Sequence, residues 1–247
     1  MDIWREYPSL TLAVQRAHEE CPADIIHHDF DHALQVAQVA TMIAADPLTS
    51  RLAGAAALCH NADRMLEVRE GGSVTKPSTQ DIEGLVMSWL GTENVFSGFE
   101  EDLIIEAVLE HSKPNDERDS PITVTLKDAD RVVNLGLDII VRGAQHHGCQ
   151  TIHPTLLLDD KRGAHPKRKS MVAVLQDCLE WSSDDPKFGI RLPKAKALAD
   201  DRANMLKEFI SSVIGQRDTL GRHQAEDDAD VEKRLGRDHH GPPQRQQ

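Results

Sequence analysis

The chain has 247 residues, enough for one large domain or two small ones, and its net charge is −13 at neutral pH. Hydrophobic residues make up 39% of the chain and aromatic residues only 4%, so Leu, Ile, Val and Ala must fill most of the core. The acidic balance argues against general binding to a nucleic-acid backbone, which needs a basic surface. Small phosphorylated substrates stay open, because a bound metal ion can supply local positive charge.

The sequence lacks the usual marks of export and membrane insertion. The run from Met1 to Glu6 has no basic and then apolar layout of a signal peptide, and no apolar stretch approaches the roughly 20 residues that span a membrane. None of the four cysteines is in a CxxC pair, which is typical of reduced, buried thiols. We therefore expect a cytoplasmic protein.

Apolar residues recur at spacings of three and four along the chain, and strict alternation is almost absent, which predicts an all-α fold with about seven to eight helices. In chain order the helices are expected at 9–20, 29–45, 49–62, 78–90, 99–112, 121–145, 169–182 and 194–215. Caps and breakers set these limits, such as Asp46-Pro47 after the second helix and Pro121 at the start of the sixth.

The periodicity ends after Gln216, where the sequence becomes charged in both signs and holds few apolar residues. Such a segment cannot bury enough surface to offset the entropy lost on ordering. We therefore predict a single helical domain at 1–215 and a disordered charged tail at 216–247.

Three side chains that often bind metals fall on the apolar faces of three different predicted helices. His32, His60 and Asp130 each share a face with apolar residues spaced by three, four or seven positions. A buried carboxylate costs several kcal/mol unless it is paired or bound to a metal. Two explanations stay open at this point: a polar core satisfied by hydrogen bonds, or a shared cation such as Zn, Mn or Fe.

The order of these residues has a counterpart in a known superfamily. The runs are His32, then His60-Asn61-Ala62-Asp63-Arg64, then Asp128-Ala129-Asp130-Arg131. They resemble the H…HD…D pattern of HD-domain metal-dependent phosphohydrolases. The resemblance covers 25–215, with its motif core at 25–145, and a group of uncharacterised bacterial HD hydrolases is similar also at Glu110-His111-Ser112, Asn134-Leu135-Gly136 and Arg142. It implies an HD-domain-like helical bundle that holds a metal between helices and hydrolyses phosphoesters or nucleotides.

Carried onto this sequence, the resemblance makes His32 and His60 metal ligands. Asp130 matches the last aspartate because it lies on the apolar stripe, and Asp128 is the second choice. Asn61 stands where the family has an aspartate; it offers an amide oxygen to the metal, but no negative charge and no proton acceptor at neutral pH. The resemblance implies a divalent metal, with Mn, Mg, Ni, Co, Fe and Zn as candidates.

The resemblance also suggests which residues act on the substrate. Asp130, or Asp63 in compensation for Asn61, would orient a metal-activated water. A phosphate would be held by cationic side chains, for which Arg64, Arg131 and Lys127 are candidates. His111 would contact the phosphate or a second metal. The alternative is ordinary surface charge for the cations and a plain helix-end position for His111.

Two functions follow from these residues. One is a metal-dependent phosphohydrolase that acts on a small phosphorylated compound or nucleotide. The other is a catalytically degenerate HD domain that binds a nucleotide or a protein partner as a regulator. His32, His60 and Asp130 favour the first and Asn61 favours the second. We expect no membrane binding, and assembly into a homo-oligomer is left open.

Overall fold

Helices dominate the described chain, which confirms the all-α prediction. The computed structural model describes residues 2–20, 29–70, 73–148 and 171–234. The helices of the first half are α1 (Ile3–Glu6), α2 (Pro8–Glu20), α3 (Phe30–Ile43), α4 (Pro47–Cys59), α5 (Ala62–Met65), α6 (Thr79–Leu90) and α7 (Gly98–Glu110). The second half contains α8 (Pro121–Asn134), α9 (Asp138–Gly148), α10 (Met171–Glu180) and α11 (Pro193–Arg234). Two short strands, β1 (Val68–Glu70) and β2 (Ser73–Thr75), pair antiparallel.

Side-chain caps fix where the main helices begin. The carboxylate of Asp29 accepts a hydrogen bond from the backbone N–H of His32 at 2.8 Å, which sets the start of α3 beside a predicted ligand. Caps of the same kind begin four further helices, through Asp46, Ser78, Ser97 and Ser120. The starts capped by Ser78 and Ser120 agree with the sequence prediction, whereas α4 begins at Pro47, two residues before the predicted start. In each case the cap satisfies backbone N–H groups that a helix start leaves unpaired.

The core is built around α3, α4 and α8, and α7 packs against the last two. Every residue from Leu52 to Ala62 is buried, so α4 and the residues after it are enclosed on all sides. Its many alanines allow neighbouring helices to approach closely. At Gly54 an added Cβ would lie 2.9 Å from Cγ2 of Thr41 on α3. The packing of these three helices brings the first turn of α3, the end of α4 and the middle of α8 together.

The predicted helix at 121–145 is wrong as a single element. The chain forms α8 and α9 instead, with a break at 135–137. The N–H of Gly136 donates to the carbonyl of Val133 at 2.9 Å, and a Cβ at this glycine would lie 3.1 Å from the same oxygen. The tight helix end therefore suits glycine, while the apolar spacing that continues on both sides concealed the break.

The last helix continues to Arg234 and does not end near 215 as the periodicity suggested. No proline interrupts the sequence from 194 to 241, so nothing in it stops a helix sharply. The first compact unit is Met1–Lys207, and a second unit begins at Glu208. The division into a domain at 1–215 and a disordered tail at 216–247 stays a prediction. Among the described helices, none is both long and apolar enough to cross a membrane.

Candidate metal site

Three helices bring two imidazoles and one carboxylate to the same point. His32 lies in the first turn of α3, His60 directly follows α4, and Asp130 lies on α8. One ligand atom from each residue lies within 4.8 Å of the others. Nε2 of His32 is 3.2 Å from Oδ1 of Asp130, and Nε2 of His60 is 4.0 Å from the same oxygen. We call these three residues the ligand cluster.

Burial and the neighbouring side chains together set the charges in the ligand cluster. Both histidines are 2% exposed. Burial lowers the pKa of His60 to about 3 against the opposing effect of Asp130, so the ring is neutral near pH 7. Burial alone would raise the pKa of Asp130, but the hydrogen bond with His32 and the nearby imidazoles hold it well below its ordinary range. The site thus offers an anionic oxygen and a neutral imidazole, donors that suit borderline divalent metals.

Helix ends fix the tautomers of two histidines. His60 caps the end of α4 with Nδ1 2.6 Å from the carbonyl oxygen of Ala57, and His111 caps the end of α7 with Nδ1 2.6 Å from that of Val108. Because a carbonyl only accepts hydrogen bonds, Nδ1 carries the proton in each neutral ring and Nε2 keeps its lone pair. The two ring centroids are 5.4 Å apart, which places His111 next to the ligand cluster.

A ring of four hydrogen-bonded side chains holds Asp130. Asn134 donates from Nδ2 to Oδ1 of Asp130 at 2.9 Å, and its own Oδ1 accepts from Nη2 of Arg142 at 3.1 Å. Nη1 of Arg142 lies 2.9 Å from Nδ1 of His32, and Nε2 of His32 lies 3.2 Å from Oδ1 of Asp130, which closes the ring. Sequence reasoning gave neither Asn134 nor Arg142 a role. The spacing of four from Asp130 could have indicated Asn134, whereas Arg142 reaches back across a helix break that was not predicted.

Asn61, which the resemblance sets in place of an aspartate, is buried beside the ligand cluster. It is 1% exposed, and its Nδ2 lies 3.4 Å from Nε2 of His18. Nδ1 of His18 lies 2.9 Å from the carbonyl oxygen of Val14, so Nε2 is the hydrogen-bond acceptor in the neutral ring. The Nδ2 amide group of Asn61 can therefore donate a hydrogen bond to Nε2 of His18. An ionised carboxylate at this position has no proton to donate. Nothing in the spacing of α2 marks His18 as a neighbour of this site.

The structure places Asp63 and Arg64 in a local ion-pair group. Nη1 of Arg64 donates to Oε1 of Glu67 at 2.7 Å, and Nε of Arg64 lies 3.7 Å from Oδ2 of Asp63. Oδ1 of Asp63 accepts from the backbone N–H of Arg64 at 2.8 Å. These three contacts lie within residues 63–67 and do not involve the ligand cluster. The compensation of Asn61 by Asp63 therefore stays a prediction.

Lys127 and Arg131 serve a different purpose from the phosphate binding predicted for them. Nζ of Lys127 is fully buried and donates to both carboxylate oxygens of Asp119, at 2.8 and 2.9 Å. Nη1 of Arg131 donates to Oδ1 of Asn115 at 2.7 Å and to the carbonyl of Gly189 at 3.2 Å. Because these buried partners engage both cationic groups, we correct the assignment: the two residues fasten α8 to the segments before α8 and before α11.

Asp128 is fully buried but does not join the ligand cluster. Its Oδ2 accepts from the backbone N–H groups of Arg191 at 2.9 Å and Leu192 at 2.6 Å. Burial raises the pKa of this carboxyl against the opposing effect of these hydrogen bonds. The choice of Asp130 over Asp128 as the residue beside the two histidines agrees with the geometry, since Asp128 anchors the start of α11.

Comparison with known proteins places the chain by its fold. No known protein-family model and no curated protein matches it. The fold is similar to that of Bacillus subtilis YpgQ, solved in complex with ADP, with a TM-score of 0.61, 17% identity, and coverage of 87% of this chain and 97% of that one. A Lactobacillus plantarum protein matches at a TM-score of 0.58 and 17% identity over 85% and 97% of the two chains. The Lin1889 protein of Listeria innocua matches at a TM-score of 0.55 and 17% identity, over 86% of this chain and 96% of that one. At these identities the likeness shows a shared fold.

Proposed function

We propose that the chain is a divalent-metal-dependent phosphohydrolase of the HD type that acts on a small phosphorylated compound or nucleotide. The observation that carries this proposal is the convergence of His32, His60 and Asp130 from three helices, with ligand atoms within 4.8 Å of one another. The order of these residues along the chain supports membership of the HD superfamily. The complex of YpgQ with ADP, a protein of similar fold, supports a nucleotide as the substrate class.

The donor set fits a transition metal ion better than a hard cation. Two imidazole nitrogens and one carboxylate oxygen suit Mn, Fe, Co, Ni or Zn, whereas Mg prefers oxygen ligands alone. His32 and His60 would bind through Nε2 and Asp130 through a carboxylate oxygen, and the amide oxygen of Asn61 is a candidate fourth ligand. When bound, such an ion supplies Lewis acidity toward a phosphate oxygen and lowers the pKa of water.

The residues around the ligand cluster would orient and recognise the substrate. Asp130 stays ionised, and its hydrogen bonds with Asn134 and His32 fix its direction. His111 is half-buried beside His60, and its Nε2, which keeps its lone pair in the neutral ring, can accept a hydrogen bond from a substrate hydroxyl. Arg64, whose side chain is 35% exposed, is the phosphate-binding candidate nearest in sequence to Asn61.

The test compares two aspartates of α8 that differ in their contacts. Purified protein is analysed for bound metals and assayed with phosphomonoester, phosphodiester and nucleotide substrates in the presence of Mn, Mg, Ni or Co. We expect Asp130→Asn and His60→Ala to lose both metal and turnover. Asp128→Asn, the matched control, should lower stability and retain metal binding. Turnover by His60→Ala, or unchanged metal affinity in Asp130→Asn, contradicts the proposed site.

Asn61 favours a second function, an HD-type domain that binds a nucleotide or partner without turnover. A neutral amide replaces the family carboxylate in a site that is 1% exposed. Bound metal with no turnover in the wild type, and turnover in Asn61→Asp, would support this alternative. Absence of metal in both proteins would contradict both functions.

A further inference from the structure

The guanidinium of Arg142 determines which nitrogen of His32 carries the proton. Nη1 of Arg142 lies 2.9 Å from Nδ1 of His32. An arginine guanidinium only donates hydrogen bonds and stays protonated in proteins, so Nδ1 of His32 must accept. In the neutral ring the proton then resides on Nε2. There it faces Oδ1 of Asp130 at 3.2 Å, which accepts it.

This tautomer is the opposite of the one that a metal ligand needs. A histidine ligand binds the metal through an unprotonated nitrogen while its other nitrogen donates to an acceptor. His60 and His111 meet this condition, because their Nδ1 atoms lie 2.6 Å from carbonyl oxygens. His32 does not meet it, because its protonated Nε2 faces the ligand cluster and its Nδ1 faces a donor.

Arg142 also supplies the positive charge that a metal would bring. Its two terminal nitrogens contact His32 and Asn134, and both of these residues contact the Asp130 carboxylate. The guanidinium therefore balances the charge of Asp130 through two short bridges. A divalent cation at the same carboxylate would be repelled by the guanidinium in this half-buried setting.

We propose that Arg142 competes with the metal, so that a divalent cation binds the ligand cluster only when Arg142 withdraws from Nδ1 of His32. The ring of His32 keeps one proton throughout: it leaves Nε2, is exchanged through solvent and returns to Nδ1. Asp29 and Asp138 act on the Arg142 guanidinium electrostatically and stand outside the ligand cluster. Arg142 is thus a positioning residue that sets metal affinity, an inference that rests on the proposed metal site.

The affinity test measures Mn²⁺ binding by calorimetry at one fixed pH. Arg142→Gln removes the charge and offers an amide oxygen that can accept a hydrogen bond from the Nδ1–H group of His32. Loss of a group that supports a histidine ligand weakens metal binding by about 10- to 100-fold, whereas we expect Arg142→Gln to bind Mn²⁺ about tenfold more tightly. Arg142→Lys keeps the charge and should stay near the wild type. Equal or weaker Mn²⁺ binding by Arg142→Gln overturns the proposal.

The control is Arg118→Gln, which removes the same charge from a side chain that is 89% exposed and paired with Asp116. Its Mn²⁺ affinity should match that of the wild type. A gain in Arg118→Gln equal to that in Arg142→Gln would assign the effect to net charge and overturn the proposal.

A second measurement uses the wild-type protein and so does not depend on a variant that folds. Long-range ¹H–¹⁵N NMR reports which ring nitrogen carries the proton, without metal and with Zn²⁺. We expect His32 to change from Nε2–H to Nδ1–H, while His60 stays Nδ1–H. A proton on Nδ1 of His32 in the metal-free protein overturns the proposal. Failure of every protein to bind Mn²⁺ or Zn²⁺ instead removes the proposed metal site itself.

Discussion

His60 illustrates at the scale of one residue how burial prepares a ligand. Its ring is 2% exposed, and a carbonyl of its own helix takes the proton on Nδ1. A charged His60 ring would lose its hydration in this buried position. No hydrogen bond to Asp130 would compensate for that loss, since Oδ1 of Asp130 is 4.0 Å from Nε2 of His60. The neutral form is therefore favoured in the fold, and this preference links the site to stability.

We expect the metal-free protein to lose stability as the pH falls from about 6.5 toward 3, the ordinary and the folded pKa of His60. Between these pH values the unfolded chain binds a proton that the folded chain excludes. The free energy of unfolding therefore decreases as the pH is lowered. Asp130 acts in the same direction, but only below its ordinary pKa of 3.8. Urea unfolding with a chelator, at about pH 7 and about pH 4.5, should show a smaller loss in His60→Gln. An equal loss in both proteins would contradict this assignment.

The sequence predicts the ligand cluster better than it predicts the surrounding contacts. His32 and Asp130 stand on apolar stripes, so their inward direction follows from helical periodicity alone. The partners of Lys127 and Arg131 do not follow in this way. Arg131 bonds Gly189, 58 residues along the chain, and only the packing of distant segments decides that contact. A cation near a motif is therefore a weak guide to substrate binding.

At the scale of helices, the crossing of α3 and α4 depends on one small residue. An added Cβ at Gly54 would lie 2.9 Å from Cγ2 of Thr41 and 3.3 Å from Cδ1 of Ile3. Thr41 is β-branched and has little freedom to turn aside. Gly84 on α6 provides the opposite case, since a Cβ there would meet nothing within 4 Å.

We expect Gly54→Ala and Gly84→Ala to have opposite effects on stability. Gly54→Ala should lower the free energy of unfolding by about 1–3 kcal/mol, as overpacking does in close-packed cores. Gly84→Ala should raise it by about 0.4–1 kcal/mol because alanine loses less backbone entropy on folding. Denaturant titration measures both. Combining Gly54→Ala with Thr41→Ser, which removes Cγ2, should restore part of the lost free energy of unfolding. If stability does not recover, the contact with Cγ2 of Thr41 is not the cause of the loss.

Helix starts were predictable and helix ends were less so. Ser120 caps α8 by accepting a hydrogen bond from the N–H of Thr123, a local contact that can be predicted from the sequence. The end of α8 depends on Gly136, yet apolar residues continue beyond it at helical spacing, so periodicity predicted one helix across the break. The hairpin of β1 and β2 was also missed, because strands of three residues are too short to show a pattern.

At the scale of the whole molecule, the ligand cluster and its hydrogen-bonded ring lie within the compact unit Met1–Lys207. A chain that ends at Gln216 should therefore keep its metal affinity. We expect its free energy of unfolding to change by no more than about 0.5 kcal/mol, the range usual for changes away from a core. Calorimetry and urea unfolding of the full-length and shortened chains test this. A larger loss would show that the charged segment contributes to the fold.

The anchoring of Asp128 has a consequence for the synthesis of the protein. Oδ2 of its buried carboxylate accepts from the N–H groups of Arg191 and Leu192, which lie 63 and 64 residues further along the chain, and Oδ1 faces Nη1 of Arg131 at 3.8 Å. A nascent chain that has not reached Leu192 leaves this charge in the middle of α8 without those donors. Since a buried charge that lacks hydrogen bonds disfavours packing, we expect α8 to dock fully only after Leu192 has been synthesised. Asp130 stands on the same helix, so we expect the ligand cluster to be completed late as well.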